Sequence, residues 1–214
     1  MKSLTMAERA FSCPVKCFPL WENKRGLSEA YNDFLDVCRL PTTDDFDCVV
    51  FIHDDLTIND CQVLEKLKDA MDDRGWDVVG VAGSKGFSIP NPSQRTGWWS
   101  APNAQFGLVG GVLHHDKNNG QSIYTTYGKS PSPALVVDGC FIAMSGRAIA
   151  KGLRFDPTFR FHCYDVDLCL TAWEMGLKTG VEPILVTHDS PGLGFMSEEF
   201  MQAQSLLVKK WGLS

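Results

Sequence analysis

Four groups of polar residues stand at the ends of apolar runs, and their types are those of metal binding and acid–base chemistry. The run Cys48-Val49-Val50-Phe51-Ile52 ends in His53-Asp54-Asp55. Mg²⁺ and Mn²⁺ favour carboxylate oxygens, so the triplet could hold a hard cation; an Asp-rich turn closing a strand is the alternative. Leu185-Val186-Thr187 runs into His188-Asp189-Ser190-Pro191-Gly192. A neutral imidazole there is a further candidate ligand, or a solvated surface residue. Val136-Val137 is followed by Asp138-Gly139, a carboxylate beside a residue that lets a ligand approach the backbone, or a β-bulge. Asp165, within Phe161-His162-Cys163-Tyr164-Asp165-Val166-Asp167, starts a helix whose dipole favours an ionised carboxylate. Such a group could act as base toward a hydroxyl, or could simply cap the helix.

These groups need elements to position them, and the pattern supplies alternating helices and strands. Ser28 starts a helix with Tyr31, Phe34, Leu35 and Cys38 at i, i+3, i+4, i+7 spacing. Residues 48–52 suit a strand buried on both faces. Asn59 or Asp60 caps a helix burying Val63, Leu64, Leu67 and Met71, closed by Gly75. Strands are expected at 76–81, 134–144 (interrupted at Asp138-Gly139) and 182–187. Helices are expected at 165–175 and after Ser197, the latter presenting Phe200, Ala203, Leu207 and Trp211. Residues 84–133, rich in Gly, Pro, Ser and Asn, read as a long irregular lid or binding segment. Trp98 and Trp99 within it could form a sugar platform or lid, or pack the loop onto the body. His114 and His115 read as solvent-exposed. The whole is an α/β chain with a largely parallel central sheet.

Composition narrows the classes. The 214 residues suit one domain, 1–214. With 44% hydrophobic and 21% charged residues a sizeable core can form. The formal charge of -6 disfavours a duplex nucleic-acid binder, which needs Lys and Arg for phosphate. No run approaches the roughly 20 apolar residues of a membrane span, and no signal-peptide core opens the chain. Cys48, Cys140, Cys163 and Cys169 lie in or beside apolar runs, as free thiols do. Cys13 and Cys17 lack the second close pair of a zinc ribbon. A reduced, cytoplasmic chain is the expectation.

Taken in order, Gly26-Leu27-Ser28-Glu29-Ala30-Tyr31-Asn32, Phe51-Ile52-His53-Asp54-Asp55, Val137-Asp138-Gly139-Cys140-Phe141, Arg154-Phe155-Asp156, His162-Cys163-Tyr164-Asp165-Val166-Asp167-Leu168 and Val186-Thr187-His188 resemble a nucleotide-sugar glycosyltransferase of the GT-A fold, close to the family 2-like group. The resemblance spans about 15–192. It implies a Rossmann-like, mostly parallel sheet flanked by helices, and transfer of a sugar from a UDP-sugar to a glycan or other hydroxyl acceptor. His53-Asp54-Asp55 stands where that family has its DxD motif, which holds Mn²⁺ or Mg²⁺ against the donor diphosphate. Asp55 and then Asp54 are the implied ligands, His53 replaces the first Asp, and His188 is similar to a histidine that completes the metal site. Asp165 matches the inverting base, with Tyr164 replacing a Glu beside it on the acceptor side. Asp138 and Gly139 match the donor-sugar loop. Met1 to Ser12 precede a segment, Pro14 to Trp21, that resembles the family's second strand, so the usual first strand is expected to be missing. The nucleoside then falls to Trp21, a stacking face, and to Asn23, Lys24 and Arg25, which could meet phosphate; a core Trp and a solvated turn are the alternative. Other functions compatible with these residues are a metal-dependent nucleotide-sugar hydrolase and a catalytically inactive nucleotide-sugar binding module.

Overall fold

The computed structural model describes residues 15–37, 48–116, 120–190 and 197–213. The expected absence of a first strand falls on residues 1–12, outside the described residues. Residues 15–20, expected as a strand, carry no regular structure. Helix α1 (Leu27–Val37) buries Ala30, Tyr31 and Leu35. Ser28 does not cap it; its buried hydroxyl donates instead to the Phe159 carbonyl at 2.5 Å. Asn32 clamps the backbone of Phe155 by donating to its carbonyl and accepting from its N–H. These bonds fix α1 against the segment that leads into the Asp165 helix.

Eleven strands among the described residues form two joined sheets. The first has the order β1 (Cys48–Ile52), β9 (Phe141–Ser145), β3 (Val78–Gly80), β10 (Thr179–Val181), β7 (Ser132–Ala134). The second has the order β2 (Leu56–Ile58), β11 (Val186–His188), β5 (Leu108–Asp116), β4 (Ala82–Ser84), β8 (Val136–Val137), with β6 (Gln121–Gly128) paired to β5. Only β3–β10 and β5–β11 run parallel among the described pairs. The largely parallel sheet expected from alternation is therefore corrected to a mixed α/β arrangement. Two of its strand-to-strand steps make the reason plain. The chain passes from β3 to β4, and from β7 to β8, through single residues, Val81 and Leu135. One extended stretch thus serves both sheets, with no crossover helix to force parallel pairing.

The 84–133 segment is also corrected, because it contains the long antiparallel β5–β6 hairpin. Strand β6 faces solvent along most of its length, so no apolar alternation marked it. Gly110, at φ +81°, sits at the register shift of this hairpin, and a Cβ there would meet the Val81 carbonyl. Strand β1 alternates half-buried and buried residues, because it lies at an edge of its sheet; its neighbour β9 is buried throughout, as are β3, β4, β8 and β10.

Helix α2 (Val63–Lys68) continues as a π-helical turn over Asp69–Asp73, before Gly75 at φ +67°. Its start is organised by Asp60, which accepts from the Gln62 N–H and pairs with Lys66. Short helices α3 (Ala101–Ala104) and α4 (Gly146–Ala150) precede α5 (Tyr164–Glu174), which packs its buried face on β8 and β10. The last helix, α6 (Glu198–Trp211), is capped by the Ser197 hydroxyl, which accepts from the Phe200 N–H. It docks on α5 through buried Asp167, which accepts from Trp211 Nε1 at 2.8 Å and pairs with Lys210 at 2.7 Å. No described helix is long and apolar enough to cross a membrane. All six described cysteines are free thiols, with Cys140 and Cys169 buried.

Candidate functional site

Three strand or helix ends converge. His53-Asp54-Asp55 follows β1, and β2 begins at the next residue, pairing antiparallel with β11 so that His188 stands opposite Leu56. The Asp189 N–H donates to the Asp55 carbonyl at 2.8 Å. This register, rather than any local motif, carries His188 to Asp55. One ligand atom from each of His53, Asp55 and His188 lies within 4.8 Å of the others. Asp54 is exposed on the turn and outside this group. Among the described residues, then, the cluster has His53 where Asp54 was expected to be a ligand.

Asp55 Oδ1 and His188 Nε2 form an ion pair at 3.2 Å, and neither buried atom has a further hydrogen-bond partner. With one ligand atom of His53 beside this pair, the three residues form a candidate cation site. One carboxylate and two imidazoles suit a divalent transition-metal ion, imidazole favouring Zn²⁺ or Fe²⁺ and the carboxylate Mn²⁺. Proximity to His188 holds the Asp55 carboxyl below its usual range. Burial works against a charged His188, but the negative charge of Asp55 prevails and raises its pKa. Burial lowers that of His53.

Asp165 stands beside the β8–β9 junction. Its Oδ2 accepts from the Gly139 N–H at 3.0 Å and its Oδ1 from Val166 N–H at 2.9 Å. A Cβ on Gly139 would meet the Tyr164 hydroxyl and approach Asp165, so the close approach requires glycine. The expectation of a carboxylate held ionised by the helix dipole is corrected. Burial first, and the charge of Asp138 second, push the Asp165 carboxyl up to about 7 against the pull of its backbone donors. Asp165 is not the cap either: that position belongs to Cys163, at φ 62°. Tyr164 Oη lies 2.8 Å from both the Gly139 carbonyl oxygen and His53 Nε2, and so connects the two halves of the site.

His53, Asp138, Gly139 and Asp165 line a solvent-open cleft of about 140 Å³. Trp98 is its buried rear wall, 2% exposed, stacked edge-on against Tyr127, with its Nε1 donating to Asp138 Oδ2 at 3.2 Å. It cannot serve as an open sugar platform; it orients Asp138. Trp99, 39% exposed, does face the cleft. The loop carrying both is pinned. Gln204 of α6 accepts from Thr96 N–H and donates to the carbonyls of Pro92 and Gln94, while Asn103 bridges Ser88 and Gly97.

Trp21, Asn23, Lys24 and Arg25 form an exposed turn ahead of α1. Arg25 pairs with Asp33, Asn23 bonds the Arg25 backbone, and Trp21 is 66% exposed. No described hydrogen bond, ion pair or ring contact of these four reaches the His53 cluster. Sequence reasoning missed Phe161, His162 and Phe200 as cleft walls, and it missed Gln204. A signal for Gln204 existed: it is a polar residue on the Phe200, Ala203, Leu207 stripe. His114, read as solvent-exposed, pairs in register with His188, its ring 6.3 Å away, outside the cluster.

A scan against protein-family models finds none that matches the chain, and a search of curated proteins likewise returns no match.

Proposed function

We propose that the chain is a metal-dependent glycosyltransferase of GT-A-like fold. It moves a sugar from a nucleotide-diphosphate sugar, a UDP-sugar, to an acceptor hydroxyl with inversion, in a reduced, cytoplasmic setting. The observation that carries this reading is that Asp165 lines one cleft with His53, the member of the half-buried His53–Asp55–His188 cluster that reaches it. Glycosyl transfer passes through an oxocarbenium-like state, so it needs a stabilised leaving group on one side and a deprotonated nucleophile on the other. A divalent cation held by Asp55, His188 and His53 would supply the first by offsetting the charge of the diphosphate. Asp165 supplies the second. The acceptor oxygen attacks the anomeric carbon, the bond from that carbon to the phosphate oxygen breaks, and the acceptor proton passes to Asp165. A base titrating near neutrality suits this task. Asp138, oriented by Trp98 and the Cys140 N–H, holds hydroxyls of the donor sugar.

The test is a panel of nucleotide sugars incubated with Mn²⁺, with and without hydroxyl acceptors. Acceptor-dependent release of the nucleoside diphosphate is the expected result. Equal release without acceptor makes the chain a nucleotide-sugar hydrolase. Calorimetry that detects no nucleotide binding with Mn²⁺ present removes the transferase reading.

A further inference from the structure

We infer that the outer part of the cleft, between Phe161 and Trp99, is a subsite for an uncharged saccharide acceptor, and that it rejects anionic acceptors; this rests on the transferase reading. Phe161 is 55% exposed, yet its ring is not loose. It stacks on His53 with ring centroids 6.0 Å apart and a 20° tilt, and it meets His162 edge-on at 5.0 Å. His162 packs in turn on Phe200 at 5.4 Å and contacts the Ser197 hydroxyl at 3.3 Å. The result is an aromatic ridge braced by α6 and presented to water. Trp99, braced edge-on by Trp98 at 5.5 Å, lines the same cleft. Rigid, half-exposed rings present apolar area at little entropic cost. That suits the C–H face of a pyranose whose hydroxyls remain solvated.

Charge selects among saccharides. The residues lining the cleft include no Lys and no Arg, whereas Asp138 and Asp165 both line it. Burial lowers the pKa of the His162 ring, so it offers no lasting positive charge near neutral pH. A phosphate or carboxylate on the acceptor would face Asp138 and Asp165 with no Lys or Arg among the cleft residues to receive it. A neutral sugar meets no such penalty.

The experiment is an NMR titration of the isotope-labelled chain with lactose, maltose and cellobiose, and in parallel with phosphorylated and carboxylated counterparts of the same sugars. The neutral sugars are expected to shift the Trp99, Phe161 and His162 signals and to bind about tenfold or more tightly than their anionic counterparts. Phe161→Ala should weaken neutral-sugar binding by roughly tenfold, with Phe161→Trp restoring it; both variants keep the fold because the ring is exposed. Equal or tighter binding of the anionic sugars, shifts confined to another surface, or no saccharide binding at all overturns the inference. Nucleotide-sugar turnover, measured separately, distinguishes the two claims. Saccharide binding here without turnover sinks the transferase reading alone, and turnover with a preference for anionic acceptors sinks this inference alone.

Discussion

Tyr164 fixes which nitrogen of His53 carries the proton. The Tyr164 oxygen lies 2.8 Å from His53 Nε2 and 2.8 Å from the Gly139 carbonyl oxygen. A phenol has one proton and a carbonyl can only accept, so Tyr164 donates to Gly139 and accepts from His53 Nε2–H. Burial keeps the phenol itself protonated. The neutral His53 ring is therefore left with its lone pair on Nδ1, the form a metal ligand requires.

Tyr164→Phe removes both bonds and strands a buried Gly139 carbonyl. A loss of about 1–3 kcal/mol in unfolding free energy is expected, together with a roughly 10–100-fold drop in Mn²⁺ affinity, as for other residues that orient a ligating histidine. Nitrogen NMR of metal-free protein reads the tautomer directly. A wild-type His53 protonated on Nδ1 would show that Tyr164 has no such role.

Metal affinity should climb with pH. His188 must lose a proton to bind a cation, and its pKa is raised despite burial because Asp55 stabilises the charged ring. Affinity then rises about tenfold per pH unit until His188 has titrated, and flattens above that point. Calorimetry at several pH values, in buffers of different ionisation enthalpy, should detect the released proton. The same pair sets a stability window in metal-free protein. The raised His188 contributes fully below its unfolded value of about 6.5, and that contribution is lost as pH rises through the folded value. The depressed Asp55 contributes above about 3.9, and its share is lost on acidification. His188→Gln should flatten the alkaline side of this profile, and Asp55→Ala should abolish Mn²⁺-dependent nucleotide binding.

Asp165→Asn should spare donor binding and lower transfer by roughly 10²–10⁴-fold. In the wild type, the rate should rise with pH through about 7, as the base ionises. Stability carries the opposite sign. A carboxyl whose pKa is raised on folding binds more protons folded than unfolded, so stability falls as pH climbs from about 4 to 7. The melting temperature of the Asn variant relative to wild type should therefore increase between pH 5 and pH 8. A difference that stays constant across that range would contradict burial of an ionisable Asp165.

Gln204→Ala should release the Trp98–Trp99 loop. It removes three hydrogen bonds and leaves the buried Thr96 N–H unpaired, for a loss of about 2–4 kcal/mol. Hydrogen exchange should quicken at residues 92–99 more than in β5 or β9. Uniform quickening would mean that Gln204 supports the whole fold rather than this loop.

Much of the frame was legible before any coordinates. The apolar runs ending in His53, Asp138 and His188, and the helix containing Asp165, are marked by local hydrophobic spacing, and each is present within a few residues. The hairpin over 108–128 was not legible, because β6 is exposed and two glycines interrupt β5. Nor was the mixed direction of the sheets, since adjacent short strands can join either sheet without altering the apolar pattern.

By itself, then, the sequence determined which polar groups stand at the ends of buried elements, since periodicity and turn chemistry act over a few residues. Only the tertiary structure decided which of those groups meet. The β2–β11 register brings His188 to Asp55 and leaves Asp54 in solvent. Packing of α5 against the β8–β9 junction lifts the Asp165 pKa where the helix dipole alone would have lowered it. Both outcomes depend on contacts more than 25 residues apart in the chain, and burial and charge coupling have no expression in a local pattern.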